Sequence, residues 1–179
     1  QVAPAVRGDE IWCQLFSEPS SGSDSAATRT MAVRDGDHWV LNGQKVWNSG
    51  AQASDYGMVI ARTDADVPKH KGLSAFWLDM KTPGLEVRPI KMMSGDSELN
   101  EVFLTDVRIP DSQRVGEIGG GWKVVISTLM NERAALGSGS GLSWRDIMAL
   151  AKDIPSWEGS ALDDPAFREW LADLYVDAE

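Results

Sequence analysis

The feature that most constrains this chain is a change of hydrophobic period near residue 110. Before it, short β-prone runs alternate with clusters of Gly, Asp, Asn and Pro; after Gly119-Gly120-Gly121, apolar residues recur at helical spacing. The best-marked β segment runs from residues 32–34 through Asp35-Gly36-Asp37 to residues 39–41. Asn42-Gly43 then predicts a hairpin turn returning along residues 45–47. Further strands are predicted at 12–16, 56–62, 73–79, 85–90 and 102–107, and about eight short strands point to a barrel or sandwich. Past the glycines, Val125, Leu129 and Leu136 fall on one helical stripe. Asp164 reads as an N-cap with Pro165 at the first helical position, followed by Phe167, Trp170, Leu171 and Leu174 on one face. That face expects a partner from outside the sequence, and 179 residues suit one domain plus an appendage, as in a fragment.

Composition narrows the function classes. Hydrophobic residues make up 42% of the chain, enough for a core. The net charge is −10, which argues against a nucleic-acid partner because phosphate binding needs clustered Lys and Arg. Residues 145–179 hold nine acids against three bases, a compositional break from the rest. The single cysteine, Cys13, rules out an internal disulfide and a Cys-based zinc cluster and fits a reducing compartment. No apolar run approaches the ~18 residues of a membrane span and no signal peptide opens the chain, so a soluble, intracellular protein is expected.

Three segments could carry chemistry. Ser17-Glu18-Pro19-Ser20-Ser21-Gly22-Ser23-Asp24 is a hydroxyl-rich turn after a β run, able to offer N–H and O–H groups to a ring or phosphate, or simply a solvated loop. Trp47-Asn48-Ser49-Gly50 sets a large aromatic beside small polar groups, where an indole either faces a ligand or caps the core. Glu132 lies within roughly 40° of the Val125, Leu129 and Leu136 stripe, so it is read either as half of an ion pair or as a carboxylate in use. Arg133 points about 100° away. His38 and His70 lack companion ligands and read as surface residues, and no metal site is expected. Gly137-Ser138-Gly139-Ser140-Gly141 reads as a linker or as close helix packing, and no phosphate-loop or strand-linked dinucleotide signature is present.

Taken together, five blocks resemble the acyl-CoA dehydrogenases in that family's order: Trp12 to Asp24; Leu41-Asn42-Gly43-Gln44-Lys45-Val46-Trp47; Gly72-Leu73-Ser74-Ala75-Phe76; Asn100 through Pro110; and Gly120-Gly121-Trp122-Lys123-Val124. The resemblance implies a tail over 1–10, the middle antiparallel β-barrel over 11–110, a linker over 111–120, and the start of a C-terminal helical domain over 121–179. The N-terminal helical domain would be absent, and a long helix would cover about 121–150. Gly137, Gly139 and Gly141 would then be helix-packing contacts.

The resemblance also implies FAD as cofactor and an acyl-CoA thioester as substrate. It places Gln14, Phe16, Ser17, Gly22 and Ser23 along the flavin, with Ser17 on the pyrimidine side and Ser23 also on the pantetheine arm. Trp47, Asn48 and Ser49 would cover the other flavin edge, Asn48 standing where Thr or Ile is more usual. Met130 and Arg133 would lie beside the substrate, Met130 replacing an Asp that binds CoA in some relatives. The implied reaction oxidises the thioester to its 2-enoyl form: a carboxylate removes the α-proton and the β-hydrogen leaves as hydride. Most relatives place that base in a late loop; a minority, similar to isovaleryl-CoA and long-chain enzymes, use a Glu-Arg pair that coincides with Glu132-Arg133, which makes Glu132 the candidate base. Implied partners are an electron-transfer flavoprotein and a homo- or hetero-tetramer, in bacterial cytoplasm or mitochondrial matrix. The alternatives are a non-catalytic partner subunit of a mixed tetramer, or a related acyl-CoA oxidase or nitroalkane oxidase. By itself this chain is expected to hold FAD weakly and to be inactive, because absent helices and neighbouring subunits would supply other walls of the site.

Overall fold

Strands alternate buried and exposed side chains, and the alternation fixes which face of each run enters the core. The computed structural model describes residues 2–137, 144–156 and 159–178. A short helix α1 (Val2–Arg7) is followed by β1 (Trp12–Leu15), β2 (Met31–Asp35), β3 (His38–Lys45), β4 (Tyr56–Arg62), β5 (Leu73–Asp79), β6 (Leu85–Pro89), β7 (Asn100–Pro110) and β8 (Arg114–Val115). They form one sheet in the order β6-β7-β3-β2-β4-β5-β8, with β1 paired to β4. Pairing is antiparallel except between β1 and β4 and at the single Met31–Arg62 contact of β2 with β4. The expected mainly antiparallel β domain followed by helices is present, but the end strands β6 and β8 do not pair with each other, so its barrel is not closed. At one end β8, which follows the 3-10 turn Asp111–Gln113, is only two residues long and pairs with Ala75 and Phe76 of β5.

Leu15, Trp39, Leu41, Val59, Ala61, Phe76, Leu78, Val102, Leu104, Val107 and Ile109 form the main core on one face. Each fully buried Leu, Val, Ile or Phe contributes about 1.5–3 kcal/mol relative to exposure. On the other face, Phe16, Ile60, Leu73 and Ala75 pack with Val125 from helix α2 (Gly121–Gly137). Gly121 permits that docking, since a Cβ there would sit 2.7 Å from the Ser74 carbonyl carbon. Asp111 fastens the approach to α2: its carboxylate accepts from the Arg114 guanidinium and the Trp39 indole N–H, which hold its pKa down at about 2.

The predicted Asn42-Gly43 hairpin does not form. β3 runs straight through both residues, and the turn falls earlier, where Asp35 and His38 close the β2–β3 hairpin around Gly36 and Asp37. Asn42 is instead held across to β7 by a reciprocal pair of bonds with Asp106, and the register shifts between Leu41 and Gly43. Gly43 is there for space: a Cβ would lie 2.4 Å from Thr30 Oγ1 and 2.7 Å from Thr30 Cα.

The chain divides into two compact units, Gln1–Leu129 and Met130–Glu179, with the boundary inside α2. In the second unit α3 (Trp144–Asp153) leads to a two-residue ladder of β9 (Pro155–Ser156) with β10 (Gly159–Ser160), then to α4 (Pro165–Ala178). Asp164 caps α4 as expected, its Oδ1 accepting the Ala166 N–H at 2.8 Å. Of the predicted apolar face of α4, Leu171 is buried, Phe167 and Leu174 are half-buried and Trp170 is exposed, while Trp144 meets Tyr175 edge-on at 4.9 Å. The expected long helix is described as α2 and α3, separated by residues 138–143; Gly139, Gly141 and the side chain of Leu136 lie outside the described residues. No described helix is long and apolar enough to cross a membrane.

Lys45 is fully enclosed at the end of β3, and no sequence pattern announced it. Its ammonium donates to the carbonyls of Phe16 (3.1 Å) and Ile60 (2.7 Å) and to Glu18 Oε1 (2.8 Å), which uses all three of its N–H bonds. Glu18 also accepts the backbone N–H groups of Arg29 (2.7 Å) and Thr30 (2.9 Å). Burial pushes the Glu18 carboxyl up, but the Lys45 charge and these donors outweigh it and hold it below its ordinary value. Its stabilising contribution is therefore complete above pH 4.5, the ordinary Glu value, and is lost as pH falls through the folded value. In urea unfolding, Lys45→Met alone is expected to lose about 3–5 kcal/mol by stranding the carboxylate, and Lys45→Met with Glu18→Gln to recover part of it. The acid-side decline in stability should be shallower in Glu18→Gln than in the unsubstituted protein.

Candidate functional site

The end of β1 and the end of β3 are joined backbone to backbone by the Val46 N–H, which donates to the Ser17 carbonyl at 2.9 Å, with the Lys45 and Asn48 side chains bonding to the same stretch. These bonds set the Ser17–Asp24 turn beside the Trp47–Gly50 corner, two segments far apart in sequence. Within the turn, Glu18 and Ser21 exchange backbone bonds of 2.8 and 3.0 Å, and Ser21 Oγ donates to the Asp24 carbonyl. Glu18 is the inward anchor described above. Phe16 is buried against α2, Ser17 is half-buried, and Gln14, Gly22 and Ser23 are exposed.

At the corner, Trp47 is one of two non-glycine residues at positive φ (+61°) among the described residues, and its indole is 59% exposed. A left-handed L-residue costs roughly 1–2 kcal/mol. Ser49 is exposed, whereas Asn48 is buried, with its amide turned inward to donate to the Gln14 carbonyl at 2.8 Å. The Asn48 N–H donates to the Asn100 carbonyl at 3.0 Å, and the Asn100 amide donates back to the Asn48 carbonyl at 2.9 Å. The surface so formed carries an outward indole flanked by hydroxyls and peptide groups. It can receive a flat heteroaromatic ring and hydrogen-bond its edge.

A second feature, missed in the sequence, lies where the β4–β5 connection approaches the start of α2. Arg62 donates to the carbonyls of Ala26, Thr28 and Lys69, and Lys69 pairs with Asp24 at 2.6 Å, tying this connection to the Ser17–Asp24 turn. Ser74 Oγ accepts the Gly119 N–H at 2.9 Å, which fixes the other wall. Between them is a cleft of about 420 Å3 lined by Pro68, His70, Lys71, Gly119, Gly120, Trp122 and Lys123, with His70 edge-on to Trp122 at 5.5 Å. Two ammonium groups beside an indole suit a ligand that is both anionic and aromatic. The sequence signal is Lys69-His70-Lys71 together with Lys123 after the glycine run, obscured because about fifty residues separate the two and each alone reads as a solvated surface. Among the described residues no group of three His, Cys, Asp or Glu could hold a metal.

Met130, Glu132 and Arg133 follow on α2 in the second unit, and all three are exposed. The apolar stripe beside which Glu132 was expected is buried only in its first part: Val125 is fully buried, Leu129 is 39% exposed and Glu132 itself is exposed. The first turns of α2 pack on the sheet through Val125.

The family profile of the acyl-CoA dehydrogenase middle domain matches residues 13–107. The chain is 51% identical over 141 residues to acyl-CoA dehydrogenase FadE34 of Mycobacterium tuberculosis, covering 79% of this chain and 20% of that protein. Among solved structures it is similar to the Tcur3481-Tcur3483 steroid ACAD, with a TM-score of 0.80 and 36% identity over 98% of this chain and 45% of that one. It is also similar to the ChsE4-ChsE5 complex from Mycobacterium tuberculosis, with a TM-score of 0.75 and 32% identity over 98% of this chain and 46% of that one. The chain thus spans less than half the length of these relatives.

Because Trp47 is exposed and sits at positive φ, it is expected to add little to folding. Trp47→Gly should change unfolding stability by less than about 1 kcal/mol, since relief of the backbone offsets the lost contacts. A loss of about 3 kcal/mol or more in denaturant titration would mark the indole as a structural cap instead.

Proposed function

The chain belongs to the acyl-CoA dehydrogenase family, and from that premise we propose that the protein carrying it is a flavin-dependent dehydrogenase of acyl-CoA thioesters. The observation that carries the reading is the Val46–Ser17 bond, which brings an exposed indole and two hydroxyl-bearing segments onto one surface. These residues fit FAD: a flat aromatic face, edge donors and acceptors, and at Gly22 open space where a Cβ would meet nothing within 4 Å. FAD, when bound, supplies a ring that accepts hydride from the substrate β-carbon.

The chain's own residues do the rest. Trp47 covers the ring, while Ser17 and Ser49 hydrogen-bond its edges, with the peptide groups near Gln14 and Phe16 alongside. Gly22 leaves room for close approach, and Ser23 holds the pantetheine arm. The phosphates of CoA are attracted by Lys71 and Lys123, and Trp122 offers a face for its adenine. Glu132 takes the α-proton as base, and Arg133 lies beside the substrate with Met130. The closed, dry surroundings that such a base needs are a condition that the rest of the protein has to supply. The electron acceptor is an electron-transfer flavoprotein and the assembly is a tetramer. The likeness to the ChsE4-ChsE5 complex supports a second reading, in which this chain pairs with a different subunit.

The full-length protein should purify yellow, and its flavin should bleach anaerobically on mixing with an acyl-CoA. Glu132→Gln is expected to slow bleaching by about 10²–10⁴-fold without loss of bound FAD. An unchanged rate places the base elsewhere, and no bleaching without a second co-expressed subunit favours the partner reading. Reversing charge with Lys71→Glu should raise KM for the acyl-CoA about tenfold at low salt, leave kcat unchanged, and have no effect on an S-acyl-pantetheine substrate lacking the phosphates.

A further inference from the structure

The ladder between β3 and β7 pairs Lys45 with Val102 and Gln44 with Phe103. Continued at that register, it would set Trp47 opposite Asn100. The structure instead gives that place to Asn48, whose N–H reaches the Asn100 carbonyl. Trp47 is the extra residue, a bulge at the end of the strand, and it takes a left-handed conformation, as the extra residue does in one class of bulge. Its exposed indole cannot hold the bulge by packing, so the hold must come from the residues that follow.

Asn100 supplies it. It is completely buried, and its amide donates to the carbonyls of Asn48 (2.9 Å) and Glu98 (3.1 Å) and to Gln52 Oε1. The Glu98 carbonyl in turn accepts the Gly50 N–H at 2.9 Å, so residues 98–100 grip the corner on both sides of Ser49. Ile90 donates to the Leu99 carbonyl at 2.8 Å, so the neighbouring Pro89–Asn100 pair falls between ladder bonds of β6 and β7, and the Asn100 carbonyl faces the Trp47 corner, where Asn48 takes it. The Oδ1 atoms of Asn48 and Asn100 are both buried and without a hydrogen-bond partner among the described residues. Neither side chain reaches the surface, so their contribution lies in the backbone they hold.

We propose that Asn100 is a positioning residue for flavin binding, holding the bulge that turns the Trp47 indole outward. The proposal rests on the reading that Trp47 faces a flavin. A merely structural Asn100 would lower stability and affinity independently of Trp47. A positioning Asn100 acts through Trp47.

The test is a double-mutant cycle on FAD affinity in the full-length apoprotein, read by flavin fluorescence, with thermal unfolding of each apoprotein alongside. Trp47→Ala and Asn100→Ala are each expected to weaken FAD binding about tenfold, and the double variant to be no more than about twofold weaker than Trp47→Ala. Asn100→Ala should also raise the fluorescence of bound flavin, because the quenching indole is displaced. Multiplying losses in the cycle, or unchanged fluorescence, overturns the proposal and leaves the flavin reading standing. If Trp47→Ala binds FAD as tightly as the unsubstituted protein, the flavin reading of Trp47 falls and the proposal with it. Should Asn100→Ala not fold, Gln52→Ala, at an exposed position, releases the same amide and is expected to show a smaller loss, about two- to threefold, with the same dependence on Trp47.

Discussion

The ion pair of Lys45 with Glu18 is the constraint on which the rest of this structure depends. An ammonium with no exposure is costly unless every N–H is engaged, and here burial draws the Lys45 pKa down to about 8 against the opposing pull of Glu18. Its three bonds run to the end of β1, to β4 and to the first turn of the exposed loop, so one side chain fixes three backbone segments at once. Lys suits this better than Arg because its donors diverge from a single atom instead of lying in a plane. Removing it would loosen the sheet and the functional surface together.

That surface is held from two further directions. Arg62 spends its guanidinium on three carbonyls, binding the β4–β5 connection to the segment after the Ser17–Asp24 turn. The Asn48–Asn100 exchange binds the Trp47 corner to β7. In each case a buried or half-buried polar side chain satisfies backbone groups that the sheet itself leaves open. The loops are therefore fixed by side-chain chemistry where ladder pairing ends.

Much of the sheet was legible because its signals are local. The runs at 12–16, 56–62 and 73–79 are short, mostly apolar and bounded by turn-forming residues, and they form strands within a residue of the expected ends. Asp164-Pro165 marked its helix for the same reason: the cap and the fixed φ belong to those residues alone. Asn42-Gly43 misled because its glycine answers to Thr30, on another strand, and a pair pattern cannot distinguish close approach from a turn. Whether the sheet closes was not legible, because its end strands are far apart in sequence and β8, at two residues, is too short to carry a periodicity. The exposed members of the candidate site, Ser17, Ser23, Trp47 and Ser49, were marked by residue type and motif order. Their supports, Lys45, Arg62 and Asn100, were not, since a cation or an amide in sequence does not say whether it is buried. Glu132 was placed on the correct helix, yet its burial depended on what lies across from it, which periodicity does not contain.

The open sheet leaves strand edges that could recruit a foreign strand, and the sequence blunts them. β8 offers only two residues of ladder before Gly116, and β6 ends at Pro89 with the Glu86–Arg88 pair standing exposed along it. A neighbouring chain would find too little register on one edge, and charge and a missing donor on the other. Short register at one end, and charge with a missing donor at the other, thus oppose the addition of a further strand to the sheet.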